Sequence, residues 1–546
     1  MRAFLLATAL VATPALAQTA ATMPVPAAPA TPPRLVIAIS VDQFSADLFA
    51  QYRNRFTGGF ARLLDGAVFP SAYQGHAATE TCPGHSTILS GMRPAHTGIV
   101  ANNWINQKAP RADKEVYCAE DESVPGSDHN RYTPSDVHLK VPTLGERMKA
   151  ANPASRVVSV AGKDRAAIMM GGHKVDELWF WDANAKAFVS YAGRPAPATV
   201  TRANAEVSAL IARPQGPLPL PGWCGRVSVP MQVGPQTLGN GRFERAAGDA
   251  KAFRASPAID TAVLGIAYGL AKDMALGRQA APDLLIAGLS ATDYIGHANG
   301  PGGGEMCIQM HELDLALGAF FEAMDGLGVD YEVVLTADHG GHDMTERQQQ
   351  RAMPMERRVD TALSTKAVGE TVARELGLSG EVLLASEGDV YVADGVPAAK
   401  RPAVIAAATK MLRAYPQVAA VLTRDEISAT PMPTTPPETW TLAERARASF
   451  DPARSGDFLI LLKPRVTGIA VPGAGYVATH GSPWDYDRRV PLLFWRKGMT
   501  GFEQPLSVET VDIAPTLAAT LGVAMPGVDG RCLDLDAGPG DSCAAR

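Results

Sequence analysis

The chain has 546 residues, with 50 basic and 56 acidic side chains and a formal charge of −6. That balance excludes a nucleic-acid-binding protein organised around a basic surface. An anionic substrate would have to be attracted by a local cluster of cations.

Residues 1–17 read as an export signal. Arg2 supplies the positive start, Phe4 to Val11 is a short apolar run, and Ala15-Leu16-Ala17 matches the small-x-small cleavage pattern. That run is too short to span a bilayer, and no later stretch reaches about eighteen uninterrupted apolar residues, so no membrane span is expected. A periplasmic or secreted location follows. Residues 18–33 are Ala, Pro and Thr without charge and read as a linker. The rest, 34–546, reads as one catalytic domain carrying insertions near 172–256 and 343–455. Six cysteines, Cys82, Cys118, Cys224, Cys307, Cys532 and Cys543, meet an oxidising compartment after export. A local Cys532–Cys543 bridge fits the Gly/Asp-rich tail, and the other pairings stay open. No CxxC spacing is present, which argues against a thiolate zinc site.

Short apolar runs read as buried parallel strands: Leu35–Val41, Val157–Val160, Leu284–Leu289, Val333–Thr336, Phe458–Leu462 and Val490–Trp495. Helical patterns lie between them, at Thr143–Lys149, Ile308–Met324 and Val508–Leu521. The alternation predicts an α/β fold with a mostly parallel central sheet flanked by helices. The Pro-, Gly- and Trp-rich stretch 172–256 fits poorly. So does 343–455, despite a strand-like Glu381–Val392 and a helical Val404–Tyr415. Both read as inserted cap segments that roof the site.

Polar motifs follow most of the strands. Asp42 ends the first; Lys163, Asp164 and Arg165 follow the second; Asp293 and His297 the third; Asp338 and His339 the fourth. Ligands of open parallel sheets bind beyond the carboxyl ends of strands, so these segments converge on one crevice. In ATETCPGHSTILSG, Pro83 marks a first helical turn and places Thr81 just before a helix N-terminus, where unpaired N–H groups favour an anion. A threonine hydroxyl there is either an ordinary N-cap or a nucleophile that needs activation. The segment lacks the final glycine of the serine-hydrolase elbow. Cys82 beside it reads first as a small buried hydrophobe.

Asp293 and His297 sit four apart and share a helix face. With Asp42, Asp338, His339 and His480 they form a carboxylate–imidazole set suited to zinc, although manganese or cobalt fits the same donors. Each alone reads as a loop cap or a surface histidine; the set together points to metal. Lys163 and Arg165 flank Asp164, and side-chain alternation would aim both at the crevice. Neither His342 nor Asp343 takes an assigned role beyond a ligand-orienting partner or a loop polar group.

The motifs VDQF, TETCPGHSTILSG, GIVANNW, GKDRAAI, TDYIGH, TADHGG and THGSPWDYD together resemble the alkaline phosphatase superfamily. More narrowly they are similar to its monomeric bacterial branch with a threonine nucleophile, the PafA-type and sphingomonad phosphatases. The resemblance implies a phosphate-monoester hydrolase that works through a phosphothreonine at Thr81, acts on small phosphorylated substrates, and is a monomer. It implies two zinc ions, one held by Asp293, His297 and His480, the other by Asp42, Thr81, Asp338 and His339. It assigns phosphate contacts to Asn102, Lys163 and Arg165. In the family the Lys–Arg pair marks monoesterases, while diesterases of the nucleotide pyrophosphatase type lack it; a phosphodiesterase on the same scaffold is the alternative. Additional calcium is compatible with the branch, though no EF-hand loop is present.

Overall fold

All seven residues of LVIAISV, Leu35–Val41, are buried. An uninterrupted apolar run can stay in place only as a strand covered on both faces, where each Val, Leu or Ile side chain contributes ~1.5–3 kcal/mol. The computed structural model, which describes residues 31–351 and 353–544, places it at the middle of a ten-stranded sheet. The export signal and the linker up to residue 30 lie outside the described residues.

The sheet uses β1 (Leu35–Val41), β2 (Ala67–Tyr73), β3 (Val157–Ala161), β4 (Glu177–Asp182), β5 (Ala187–Val189), β6 (Asp283–Leu289), β7 (Tyr331–Thr336) and β8 (Arg489–Arg496). Their spatial order is β2-β8-β7-β1-β6-β3-β4-β5, with Phe502–Glu503 and Val508–Glu509 both pairing β2 at one edge. From β7 to β4 all neighbours are parallel. Val41 pairs with Leu289, Ser40 with Thr336, and Gly288 with Ala161, so four strands end level. Flanking helices include α1 (Thr81–Ile88), α2 (Asp164–Gly171), α3 (Pro257–Asp273), α4 (Ala291–Asn299) and the 22-residue α5 (Gly304–Asp325). The predicted helix at Thr143 starts on a capping box between Thr143 and Glu146.

Four expectations need correction. Phe458–Leu462 is not a strand of the central sheet. It lies in a four-stranded antiparallel sheet with Leu383–Ser386, Asp389–Val392 and Val418–Thr423. Three of its five side chains are only half-buried, as one-sided cover by the helices Thr365–Leu376 and Arg401–Arg413 requires. Strand β8 runs antiparallel to both its neighbours. The stretch 172–256 is not wholly an insertion either, because β4 and β5 extend the central sheet and bury Trp179, Phe180 and Phe188. Among Val508–Leu521, only Ile513–Leu521 is α-helical.

The smaller sheet leans on the core through Gln107, whose amide nitrogen donates to the Val392 carbonyl at 3.0 Å. Its amide oxygen accepts from Asp394 N at 2.6 Å. Three disulfides, Cys82–Cys118, Cys224–Cys307 and Cys532–Cys543, use every cysteine.

Candidate active site

The level strand ends deliver one residue set to one place. Asp42 follows β1; Lys163 follows β3 as the N-cap of α2; Asp293 sits in the first turn of α4; Asp338 and His339 follow β7. His480 arrives from the loop before β8. All are buried or nearly so.

Asp293 Oδ1 lies 3.3 Å from His297 Nε2 and 3.4 Å from His480 Nε2. His339 Nε2 lies 3.4 Å from Asp42 Oδ1 and 3.3 Å from Asp338 Oδ2, and its ring stacks on His480 at 3.7 Å. Two overlapping groups have donor atoms close enough to share a cation: Asp293, His297 and His480, and Asp42, Asp293 and His339.

The donor chemistry fits metal. The Nδ1 atoms of His297, His339 and His480 lie 2.7–2.8 Å from the carbonyls of Ala478, Gly340 and Thr79. A carbonyl can only accept, so Nδ1 carries the hydrogen and each Nε2 turns a lone pair to the carboxylates. His339 Nε2, Asp42 Oδ1, Asp293 Oδ1 and Asp338 Oδ2 are buried without a hydrogen-bond partner, while Asp42 Oδ2 meets the Lys163 ammonium. Burial, with Asp338 nearby, raises the Asp42 carboxyl well above its ordinary range. Burial resists ionisation of Asp293 too, but His297 and Lys163 hold it well below that range. Burial also lowers His339 to about 3, which keeps its ring neutral, the form that ligates metals. Three buried carboxylates this close are tolerable only around cations.

Thr81 is the first residue of α1, with Glu80 as N-cap, one position inside the place read from sequence. Its hydroxyl is buried at 3.5 Å from Lys163 Nζ and 3.4 Å from an Arg165 Nη. The two cations do converge, but through a loop-to-helix corner rather than strand alternation. Lys163 Nζ also bridges Asp42 at 2.7 Å and Asp293 at 2.5 Å. Burial opposes its charge, yet Asp293 and Asp42 raise its pKa above the ordinary lysine value. Asn102 Oδ1 accepts from Cys82 N at 2.8 Å, which leaves its Nδ2 hydrogens to donate to a ligand.

Several contributors carried no sequence assignment. Glu80 accepts the Asn102 backbone N–H at 2.7 Å and fixes that segment. His85 Nδ1 lies 2.8 Å from the Thr81 carbonyl and 3.1 Å from Asp338; its i,i+4 spacing from Thr81 was the available signal. Tyr117 donates to Asp164 at 2.8 Å and accepts from Arg165 at 3.3 Å. Cys82 is buried as expected of a small hydrophobe, but it is bonded to Cys118, tying the helix that starts with Thr81 to Tyr117's strand. His342 pairs with Glu356, and Asp343 accepts from Arg347 at 2.5 Å, so both are engaged outside the histidine–carboxylate set.

A cavity of about 790 Å³ opens over the site, lined by Glu80, Asn102, Arg165, His297, His480 and Glu387. Glu387 sits at the tip of the Leu383–Val392 hairpin with φ +49°, followed by Gly388 at +92°. Two left-handed residues make the tight turn that twisted strands need, and glutamate there is strained.

The sequence matches the profile of the family described as Type I phosphodiesterase / nucleotide pyrophosphatase over residues 36–483. It is 57% identical to alkaline phosphatase PhoK of Sphingomonas sp over 524 residues, 95% of this chain and 94% of that protein. It is 50% identical to alkaline phosphatase PhoD of Zymomonas mobilis, covering 94% and 90%. The crystal structure of alkaline phosphatase PafA superposes with a TM-score of 0.80 at 26% identity, over 93% of this chain and 99% of that one. The chain therefore belongs to the alkaline phosphatase superfamily, in the branch of the PhoK- and PafA-type enzymes.

Proposed function

We propose that this protein hydrolyses phosphate monoesters with Thr81 as nucleophile, two zinc ions as cofactors, and Asn102, Lys163 and Arg165 as phosphate ligands. The observation that carries the reading is the convergence of Lys163 and Arg165 on one buried threonine hydroxyl beside a cluster of metal-type donors. Asp293, His297 and His480 would hold one ion, and Asp42, Asp338, His339 and Thr81 the other. When bound, such a pair lowers the pKa of a coordinated hydroxyl and neutralises charge on a leaving oxygen.

Thr81 Oγ gives up its proton to solvent water and forms a bond to phosphorus as the ester P–O bond breaks. The departing alcohol oxygen keeps the bonding pair and takes a proton from water. Arg165 grips two phosphoryl oxygens, Lys163 adds a point charge, and Asn102 donates from Nδ2. Water then attacks the phosphothreonine, releasing phosphate and restoring Thr81.

The family description includes diesterases, which supplies the competing reading. A monoester has one more anionic oxygen, and two convergent cations beside an amide donor suit that extra charge. Small soluble phosphate esters are the proposed substrates, met as a monomer outside the cytoplasm. The leader-like residues 1–17 and three disulfides support that location. Nitrophenol release from the aryl monoester and from the bis-aryl diester, with and without chelator, tests the reading. Faster diester hydrolysis, or monoester hydrolysis indifferent to chelator, overturns it.

A further inference from the structure

A second cavity, of about 600 Å³, meets the active site at Lys163 and Arg165 and is walled further out by Tyr132, Trp181, Arg254 and Tyr294. Arg254 ends the helix Ala250–Arg254, and its guanidinium lies 4.5 Å from the centre of the Tyr294 ring. The Lys163 ammonium lies 5.0 Å from the same ring centre. Laid end to end, those distances put the two cations at most about 9.5 Å apart.

Every charged group in this wall has an ion-pair or hydrogen-bond partner, with one exception. Lys163 is held by Asp42 and Asp293. Arg131 pairs with Asp128 at 2.8 Å. The Asp164 oxygens accept from the Tyr117 and Tyr132 hydroxyls, and Asp182 accepts from the Asn184 and Ala185 amides. Arg165 reaches the Tyr117 hydroxyl and the nucleophile. Arg254 alone has no ion-pair or hydrogen-bond partner among the described residues. Its Nε is also buried, as are the unpartnered Arg165 Nε and Trp181 Nε1. A buried donor left unmet is costly, so the wall favours an acceptor-rich, anionic ligand.

Resting on the phosphatase reading, we propose that this cavity is a subsite for a second phosphate of the substrate, held by Arg254 while the first phosphate faces Thr81. The enzyme then favours short-chain bisphosphates over the matching monophosphates. Arginine suits the task because its planar fork meets two phosphate oxygens at once. Tyr294 fixes the fork from one face by cation–π contact.

The test compares kcat/KM for propane-1,3-diol bisphosphate and propyl phosphate in the wild type, Arg254→Ala and Arg254→Lys. The wild type is expected to favour the bisphosphate by about tenfold, the value of one charge-assisted contact. Arg254→Ala should erase that preference through KM while propyl phosphate turnover stays within about twofold. Arg254→Lys should keep part of it. Equal loss on both substrates in Arg254→Ala, or no preference in a wild type that hydrolyses propyl phosphate, overturns the subsite. A wild type that hydrolyses neither overturns the phosphatase reading and the subsite with it.

Discussion

Gly84 lies so close to the backbone of Asp338 that a β-carbon on it would stand 2.0 Å from the Asp338 carbonyl oxygen. The helix that starts with Thr81 is thereby pressed against the loop carrying Asp338 and His339. Absence of a side chain at one position sets the distance between the candidate nucleophile and the candidate ligands.

Gly84→Ala should therefore separate the two. Backbone faces backbone here, so no flexible side chain can yield, and overpacking of this kind costs ~1–3 kcal/mol. The expected result is an unfolding free energy in urea lower by that amount and a fall in kcat of roughly a hundredfold, since small misplacement of reacting groups is that costly. Unchanged kcat in a folded variant would mean that the helix position does not set the chemistry.

Lys163 and Arg165 should act on the anionic oxygens of the phosphoryl group and not on the alcohol. In the double variant Lys163→Ala, Arg165→Ala, kcat/KM for the aryl monoester should fall roughly a hundredfold more than for the diester, the scale of one preorganised transition-state donor. Parallel losses on the two substrates would remove the argument for monoester specificity.

Thr81→Ala should abolish the covalent phosphoenzyme without emptying the site. Five of the six carboxylate and imidazole donors lie in the two cation groups independently of the threonine, and Asp338 stands beside His339. Metal content by elemental analysis should stay near two ions, while acid-quenched protein incubated with labelled substrate carries no label. Label retained in the variant would move the nucleophile elsewhere.

Legibility of the fold and site in the sequence depends on the range of the interaction. Asp42, Lys163, Asp293 and Asp338 could be placed because a parallel strand buried on both faces is a local apolar run, and the residues just after such a run lie at the strand's end. Phe458–Leu462 has the same local appearance, yet its partners Asp389–Val392 and Val418–Thr423 put it in another sheet. Nothing in a run of five residues encodes its neighbours, nor the reversed direction of β8. Asp293 and His297 were readable as a pair because four residues of helix are one turn. Glu387 and Arg254 reach the two cavities, and Tyr117 reaches Arg165, only through tertiary packing, and no spacing announces them.

Asp260 supplies the last prediction, outside the histidine–carboxylate set. It lies buried on α3, where its carboxyl accepts from Ala291 N at 3.0 Å and Gln309 Nε2 at 2.9 Å, bracing the start of the helix that presents Asp293. Burial raises its pKa from 3.8 to about 6. The folded state then holds a proton that the unfolded chain releases near pH 4. Stability must fall as pH rises between those two values, and it stays lower above pH 6. Two units correspond to ~3 kcal/mol at most. Asp260→Asn keeps the size and one acceptor but cannot ionise. Relative to wild type it should gain stability on going from pH 4.5 to pH 7, by up to that amount, in urea unfolding of the two proteins at each pH. A wild-type-to-variant difference independent of pH would show that Asp260 is already ionised in the folded protein, and that the donors around it outweigh its burial.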